Sequence, residues 1–161
     1  MDDAGALARQ LGREPRGTWR VAVRCSFGWP VVIATAPLLE DGAPFPTLYY
    51  LTCPHLADAI SALESAGAVE AWADRLAADP EAAARLRAAD ESYRAARAAE
   101  GGGVDPMPRV GIAGQRDPLG TKCLHAHAAA RLAGIDDPVG EGALAGLEPE
   151  CADERCARGD A

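Results

Sequence analysis

The hydrophobic pattern of this chain changes its period at Cys53-Pro54, and that change limits the folds open to it. Before this point apolar residues alternate with polar ones, as in TWRVAVRC at 18–25, which is typical of a half-buried strand. After it, apolar residues recur every three or four positions, as in PHLADAISALESAG at 54–67, which is typical of an amphipathic helix. Strands followed by helices, rather than alternating with them, predict an α+β fold with a small antiparallel sheet.

The length of 161 residues fits one domain, which we predict over residues 1–147. Its sheet is predicted to have three strands within residues 18–53, packed with four to five helices; the strands are 18–25, 31–37 and 47–53, and the helices are 2–11, 54–67, 69–79, 80–100 and 122–134. Residues 101–120 are rich in glycine and proline, which predicts a loop of a length that is usually functional or disordered. Residues 148–161 are predicted to be a disordered C-terminal tail.

The charge balance argues against a nucleic-acid partner. The chain has 16 basic and 24 acidic side chains, a net charge of −8, and Lys122 is its one lysine. Nucleic-acid binding depends on clustered Lys and Arg, because these side chains neutralise phosphates. No apolar run reaches the ~18–20 residues of a membrane span, and MDDAGALARQ lacks the pattern of a signal peptide. We therefore expect no membrane insertion and a cytoplasmic location.

Cytoplasmic thiols stay reduced, so the five cysteines are expected to be ligands, nucleophiles or small core residues. Cys25 ends the first predicted strand, Cys53 ends the third, and Cys123 lies at the start of the last predicted helix. Together with His125 they supply four Cys or His side chains, the number and type that a tetrahedral zinc site needs. We predict a zinc site formed by Cys25, Cys53, Cys123 and His125.

The stretch TKCLHAHAAA at 121–130 leaves the identity of the histidine ligand open. In a regular helix His125 lies on the side opposite Cys123, so the two converge only if Cys123 is at the non-helical entrance. His127, four residues after Cys123, shares its face in a regular helix and is the alternative ligand.

Two other interpretations of the cysteines stay open. Free cysteine is among the most buried residue types, so Cys25 and Cys53 could be core residues beside two ordinary helix histidines. Alternatively, Cys53 or Cys123 could be a thiolate nucleophile with a histidine as its base. Cys151 and Cys156, spaced Cys-x4-Cys, could form a second metal lobe, complete the first site, or be exposed in the tail.

Much of the chain resembles a bacterial family known as domain of unknown function 501. The matching stretches are LGREPRG at 11–17 with VAVRC at 21–25, DGAPFPTLYYLTCP at 41–54, ESYRAAR at 91–97, and KCLH at 122–125 followed by LAG and by PVG at 138–140. The resemblance implies a Cys at position 25, a Cys or His at position 53, and Cys-x-His at positions 123 and 125. Exchange of Cys and His at one position suits a zinc ligand and argues against an obligatory nucleophile.

The family has no established activity, so its resemblance implies a context rather than a reaction. Family genes in actinobacteria often lie beside those for an enolase, a small septum-formation membrane protein and an exopolyphosphatase-type phosphatase. Four protein ligands would leave zinc no open position, which is the arrangement of a structural site. We therefore expect a non-catalytic adaptor with a protein partner in cell division or polyphosphate metabolism, and exposed Trp29, Phe45 and Tyr49 in one patch would favour it.

The alternative function is a metal- or thiol-dependent hydrolase that acts on a small anionic substrate. It applies if one ligand is missing and water takes the open position, with the 101–120 loop as a lid. Candidate anion-binding residues are those that surround the predicted site in sequence: Arg24, Tyr50, Thr121 and Lys122. The sequence specifies neither an oligomeric state nor whether the chain is an enzyme.

Overall fold

The computed structural model describes residues 2–157, which form one three-stranded antiparallel sheet with six α-helices. The α+β class predicted from the sequence is confirmed. In chain order the elements are α1 (Asp3–Leu11), β1 (Trp19–Arg24), β2 (Pro30–Thr35), β3 (Tyr49–Leu51), α2 (Pro54–Ser65), α3 (Ala68–Ala78), α4 (Pro80–Glu100), α5 (Leu124–Leu132) and α6 (Pro138–Leu144), with 3-10 turns at Ile112–Gly114 and Arg155–Ala157. Within residues 2–157, no helix combines the length and the apolar character needed to cross a membrane.

The sheet has the order β1-β2-β3, so β2 is its central strand. Every residue of β2, PVVIAT, is buried. This is expected of a central strand that has a neighbouring strand on each side and packing on both faces. Val32 of β2 pairs with Leu51 of β3, and both lie in the main core. The register of β1 against β2 shifts between Val21 and Arg24, just before Cys25. Pairing resumes at Arg24 and Pro30, and the N–H of Cys25 then donates to the carbonyl oxygen of Trp29 at 3.0 Å, so Cys25 begins the turn between the two strands.

One helix, α5, is the centre of the layer that packs on this sheet. It contacts β3, α2 and α6. Its Leu124, Ala128 and Ala129 are fully buried and belong to the same core cluster as Val32 of β2 and Ile60 of α2. The start of α5, where Cys123 lies, is therefore held between the sheet and α2.

The contact between α5 and α6 depends on a glycine. A Cβ atom on Gly140 would lie 2.2 Å from the carbonyl oxygen of His127, so any larger residue would force the two helices apart. Asp137, the N-cap of α6, accepts from Val139 N–H at 2.9 Å and lies 2.6 Å from Nδ1 of His127. One buried carboxylate thus fixes both the start of α6 and its position against α5.

The long loop after α4 is held by a buried arginine. Arg97 is 0% exposed, and its guanidinium donates to both carboxylate oxygens of Asp105 at 2.8 Å. It also donates to the backbone carbonyl oxygens of Pro46, Met107 and Val110. These bonds tie the loop to the segment before β3, which brings the 3-10 turn near the edge of the sheet.

The residues after α6 run back across the turn between β1 and β2 and across the start of α2. Within this stretch the side chain of Cys156 is buried, with 8% exposure. The predicted disordered tail covers 148–161, and its last four residues, 158–161, lie outside the described residues.

Candidate metal centre

Cys123 and His125 converge at the start of α5. Cys123 is the N-cap residue, with φ −151° and ψ 110°, so its backbone is extended rather than helical. This is the condition under which a Cys-x-His pair can face one point. The Sγ atom of Cys123 lies 3.9 Å from Nδ1 of His125.

A third ligand-type side chain, Glu64, joins this pair from the last turn of α2. Its Oε1 accepts from the backbone N–H of Leu124 at 2.6 Å and lies 3.3 Å from Nδ1 of His125. One ligand atom from each of Glu64, Cys123 and His125 lies within 4.8 Å of the other two. Such a group of a thiolate, an imidazole and a carboxylate is of a kind that binds divalent transition metals.

The face of α2 that carries Glu64 also orients His125. Nε2 of His125 lies 3.0 Å from the carbonyl oxygen of Ala57 and 3.1 Å from Oγ of Ser61. A carbonyl oxygen can only accept, so Nε2 carries a hydrogen and donates it. Nδ1 is therefore the nitrogen that faces Cys123 and Glu64, and it is the one available to a metal.

The charges at this site are strongly coupled. The hydrogen bond with Cys123 raises the pKa of His125 to about 9, against the opposing effect of burial, with the Ala57 carbonyl and Glu64 also favouring the protonated form. Burial alone would raise the pKa of Cys123, but the bond to His125 and the N–H of Ala126 outweigh it, and the pKa is lowered. Without a metal, the pair therefore favours a thiolate beside an imidazolium.

A cavity of about 460 Å³ opens beside this pair. Cys123 and His125 form part of its wall, and the rest is lined by polar uncharged and apolar side chains, among them Gln10, Leu11, Thr47, Tyr49, Tyr50 and Leu51. Ala113, which also lines it, has a left-handed backbone with φ 60°, an uncommon conformation for a residue with a Cβ atom. The site is therefore open to a small molecule on the cavity side.

Cys25 and Cys53, the other two predicted zinc ligands, are not part of this group. No set of three ligand atoms within 4.8 Å of one another, anywhere in residues 2–157, joins either cysteine to Cys123 or His125. Cys53 is the N-cap of α2, whereas Glu64 lies 11 residues further along the same helix, about 16 Å away at 1.5 Å per residue. Cys53 and the carboxylate of Glu64 are therefore at opposite ends of α2.

His127, the alternative ligand, lies in the core instead. It is 1% exposed, and its Nδ1 is 2.6 Å from the carboxylate of Asp137. Its Nε2 is buried and has no hydrogen-bond partner within the described part of the chain. Of the two histidines in TKCLHAHAAA, His125 is the one brought to Cys123.

The four candidate anion-binding residues are dispersed. Tyr50 lines the cavity, whereas exposed Arg24 forms an ion pair with Asp3 at 2.7 Å. The hydroxyl of Thr121 is buried and unbonded among the described residues, and Lys122 is exposed next to Cys123. Only Tyr50 among them lines the cavity beside the candidate centre.

The three aromatic residues considered for a binding patch do not form an uncovered surface. Trp29, Phe45 and Tyr49 are each half-buried. Trp29 donates from its indole to Glu154, and Tyr49 packs edge-on against Tyr93 at a centroid distance of 5.9 Å. A protein partner therefore stays a prediction without support from these side chains.

A family model matches most of the chain. The model of a family described as a protein of unknown function, DUF501, matches residues 21–145. No curated protein and no solved structure matches the chain. The match covers Cys25, Cys53, Glu64, Cys123 and His125, and it ends before Cys151.

Proposed function

The chain belongs to the DUF501 family, whose function is unknown, and from the geometry of its site we propose that it binds one zinc ion through Glu64, Cys123 and His125 and hydrolyses a small polar substrate. One observation carries the proposal: the three ligand atoms lie within 4.8 Å of one another, and two of the three residues line a cavity of about 460 Å³. A cytoplasmic location is part of the proposal, because all five cysteines are free thiols and a reducing compartment keeps them so.

The ligand set favours zinc over magnesium or calcium. A thiolate is a soft ligand, and an imidazole suits zinc, copper, iron or nickel, whereas magnesium and calcium prefer oxygen. The thiolate of Cys123 and the carboxylate of Glu64 together supply two negative charges for a divalent ion. The carbonyl of Ala57 holds the imidazole of His125 in the tautomer that presents Nδ1.

Three protein ligands distinguish this site from a closed structural one. When bound by three protein ligands, zinc keeps a fourth position for water and lowers the pKa of that water, which is the chemistry of metal-dependent hydrolysis. The cavity offers a substrate the phenols of Tyr49 and Tyr50 and the hydroxyl of Thr47 as hydrogen-bonding groups. No lysine or arginine is among the residues that line it, so these groups favour a polar rather than a strongly anionic substrate.

The test is the metal content of full-length protein, purified without a histidine tag under reducing conditions, together with its cobalt(II)-substituted form. We expect Cys123→Ser and His125→Ala each to lose one zinc ion per chain, and Lys122→Ala, an exposed neighbour, to keep it. Added azide should change the visible spectrum of cobalt at this site, because azide can enter an open position. Full zinc content in Cys123→Ser would refute the site, and a cobalt spectrum that azide leaves unchanged would refute the open position.

A thiol-dependent hydrolase is the second candidate, and it is favoured by the lowered pKa of Cys123 beside His125. A thiolate next to an imidazolium is the arrangement of an activated cysteine nucleophile. It predicts that, in metal-free protein near neutral pH, iodoacetamide alkylates Cys123 faster than the other four cysteines and that His125→Ala slows this reaction. Equal rates at all five thiols would exclude it.

A further inference from the structure

The segment 148–157 is bonded to the turn between β1 and β2. The carboxylate of Glu150 accepts from both the backbone N–H and the hydroxyl of Ser26. The indole N–H of Trp29 donates to Glu154 at 3.2 Å. Ser26 and Trp29 belong to the turn that begins at Cys25, so the segment 148–157 is bonded to that turn at two points.

The same segment is also bonded to the first turns of α2. His55 donates from Nε2 to the backbone carbonyl oxygen of Glu148 at 2.9 Å. Arg155 forms an ion pair with Asp58 at 3.2 Å. Both partners on α2 follow Cys53, which is the N-cap of that helix. The tail therefore bridges the two places in the fold where Cys25 and Cys53 lie.

The segment 148–157 contributes two cysteines of its own, Cys151 and Cys156. Cys151 directly follows Glu150, which is bonded to Ser26 next to Cys25. Cys156 directly follows Arg155, which forms an ion pair with Asp58, five residues after Cys53. Cys53 and Cys156 are 7% and 8% exposed, and the other two thiols are half-buried. Four of the five cysteines of the chain thus gather at one end of the sheet.

Hydrogen bonds place three of these cysteines around the start of β2. The backbone N–H of Cys25 donates to the carbonyl oxygen of Trp29 at 3.0 Å, and that of Cys53 donates to the carbonyl oxygen of Val31 at 3.4 Å. The amide of Gln10 donates both to the carbonyl oxygen of Pro30 at 2.9 Å and to Sγ of Cys156 at 3.3 Å, which brings Cys156 to the same place. A donor of this kind also supports a metal-bound thiolate.

We infer that Cys25, Cys53, Cys151 and Cys156 form a second metal site, a structural zinc centre with four thiolate ligands that fastens the C-terminal segment to the sheet and to α2. Four cysteine ligands from three separate segments saturate tetrahedral zinc and leave no open position, which is the pattern of a structural site. Binding releases one proton from each thiol that is protonated beforehand. This inference shares no residue with the proposed hydrolytic centre and does not depend on it.

Formation of the centre requires a local closure. No three of the four sulfur atoms lie within 4.8 Å of one another, whereas zinc–sulfur bonds of about 2.3 Å place tetrahedral ligands roughly 3.8 Å apart. Cys25 and Cys53 are held at the ends of β1 and of the loop into α2. Cys151 lies in irregular backbone between α6 and the last 3-10 turn, so the tail is the part that moves inward.

The experiment compares full-length wild-type protein with the double variant Cys151→Ser/Cys156→Ser and with Cys123→Ser. All are purified untagged under reducing conditions, and their zinc is counted per chain. We expect two zinc ions in the wild type, the loss of one in the double variant, and the loss of the other in Cys123→Ser. With cobalt(II) in place of zinc, the intense charge-transfer absorption of a four-thiolate site should persist in Cys123→Ser and disappear in the double variant.

The two sites can fail separately. Zinc that is lost in Cys123→Ser but unchanged in the double variant would overturn the four-thiolate centre and leave the hydrolytic one standing. Zinc that is lost in the double variant but unchanged in Cys123→Ser would overturn the hydrolytic centre and leave the four-thiolate centre standing. A disulfide between any two of the four cysteines in freshly prepared, reduced protein would also overturn the inference. Far-UV circular dichroism of the double variant checks that it remains folded.

Discussion

Glu64 is the residue that converts a Cys-His pair into a group of three ligands. Its carboxylate binds the N–H of Leu124 and approaches Nδ1 of His125, so it is fixed before any metal arrives. The side chain is only partly buried, with 27% exposure, and it does not line the cavity. Its contribution to metal binding is therefore separable from its contribution to folding.

Substitution Glu64→Gln should weaken zinc binding at this centre without unfolding the protein. The amide can still accept the hydrogen bond from Leu124, but it supplies no negative charge to the ion. We expect the dissociation constant for zinc to rise about tenfold or more, measured by competition with a chelating dye. Glu91→Gln, an exposed change on α4, is the matched control and should leave the constant unaltered. An affinity in Glu64→Gln equal to that of the control would remove Glu64 from the ligand set.

The two histidines of α5 should respond to substitution in opposite ways. His127→Ala leaves the fully buried carboxylate of Asp137 without its imidazole partner, which should cost about 3 kcal/mol or more of the free energy of unfolding. Its folded fraction should still bind zinc at the Cys123 centre. His125→Ala should lose that zinc at a much smaller cost in stability, because its side chain is 27% exposed. Denaturant unfolding and zinc content, measured on both variants, would reveal the opposite pattern if His127 were the ligand.

At the scale of elements, the strands and the first five helices could be predicted because their hydrophobic periods differ. The helix predicted at 80–100 has those bounds, since Asp79-Pro80 is a strong start signal and Asp79 caps it. The helix α6 at Pro138–Leu144 is not among the helices that the sequence predicts, although Asp137-Pro138 carries the same start signal. Its glycines and short length conceal any apolar period. They are explained by packing, because a Cβ atom on Gly140 would meet α5 and one on Gly142 would meet the ring of Trp72.

The candidate site also has one part that follows from local sequence and another that depends on packing. Cys123 and His125 are two residues apart, so their convergence depends only on whether Cys123 lies before the first turn of α5, a condition that the sequence names but leaves open. Glu64 is distant in sequence, and its role depends on which helix packs beside α5 and on which turn faces it. The spacing of Ala57, Ser61 and Glu64 marks one face of α2, but a sequence alone does not state what that face meets. The joining of Cys25 and Cys53 to the tail is hidden for the same reason.

The loop after α4 should owe its position to the ion pair between Arg97 and Asp105. Burial opposes ionisation of Asp105, but the guanidinium and the N–H of Met107 outweigh it, so its pKa is lowered below 3.8. An acid with a depressed folded pKa stabilises the fold above its unfolded pKa, and this stability is lost as the pH falls through the folded value. Asp105→Asn should therefore lower the free energy of unfolding by about 2 kcal/mol at neutral pH.

The difference between wild type and Asp105→Asn should shrink as the pH falls below 3.8, since the wild-type carboxyl is then protonated too. Urea unfolding at a series of pH values would measure it. Asp74→Asn, an exposed change on α3, should show no such difference at any pH. A gap that persists unchanged at low pH would mean that Asp105 acts through its shape rather than its charge.

At the scale of the whole molecule, α2 connects the two proposed metal centres. Its N-cap, Cys53, belongs to one, and Glu64 near its last turn belongs to the other. The same helix contributes Leu56 and Ile60 to the main core. Metal at either end would therefore stabilise an element on which the rest of the fold packs.

Chelation should accordingly lower the melting temperature of the wild-type protein. A free zinc concentration 1,000-fold above the dissociation constant stabilises the native state by about 4 kcal/mol per occupied site. For a domain of this size that corresponds to roughly 10 °C in Tm. Calorimetry in zinc and in chelator would measure the shift, with magnesium as the control ion. The triple variant Cys123→Ser/Cys151→Ser/Cys156→Ser should melt at one temperature in both solutions, and a wild type that does the same would contradict both sites.

The contacts made by the segment 148–157 also determine the order in which parts of the molecule fold. Its hydrogen bonds join residues separated by 93 to 146 positions in the chain, from His55–Glu148 to Gln10–Cys156. Contacts of such long range form only after the surfaces they join exist, because the entropy of closing the loop opposes them until then. The β1–β2 turn and the start of α2 must therefore form before the segment 148–157 can bind to them. The indole of Trp29 is bonded to Glu154 of this segment. A change in Trp29 fluorescence should therefore report the docking of the segment as the last kinetic phase of refolding.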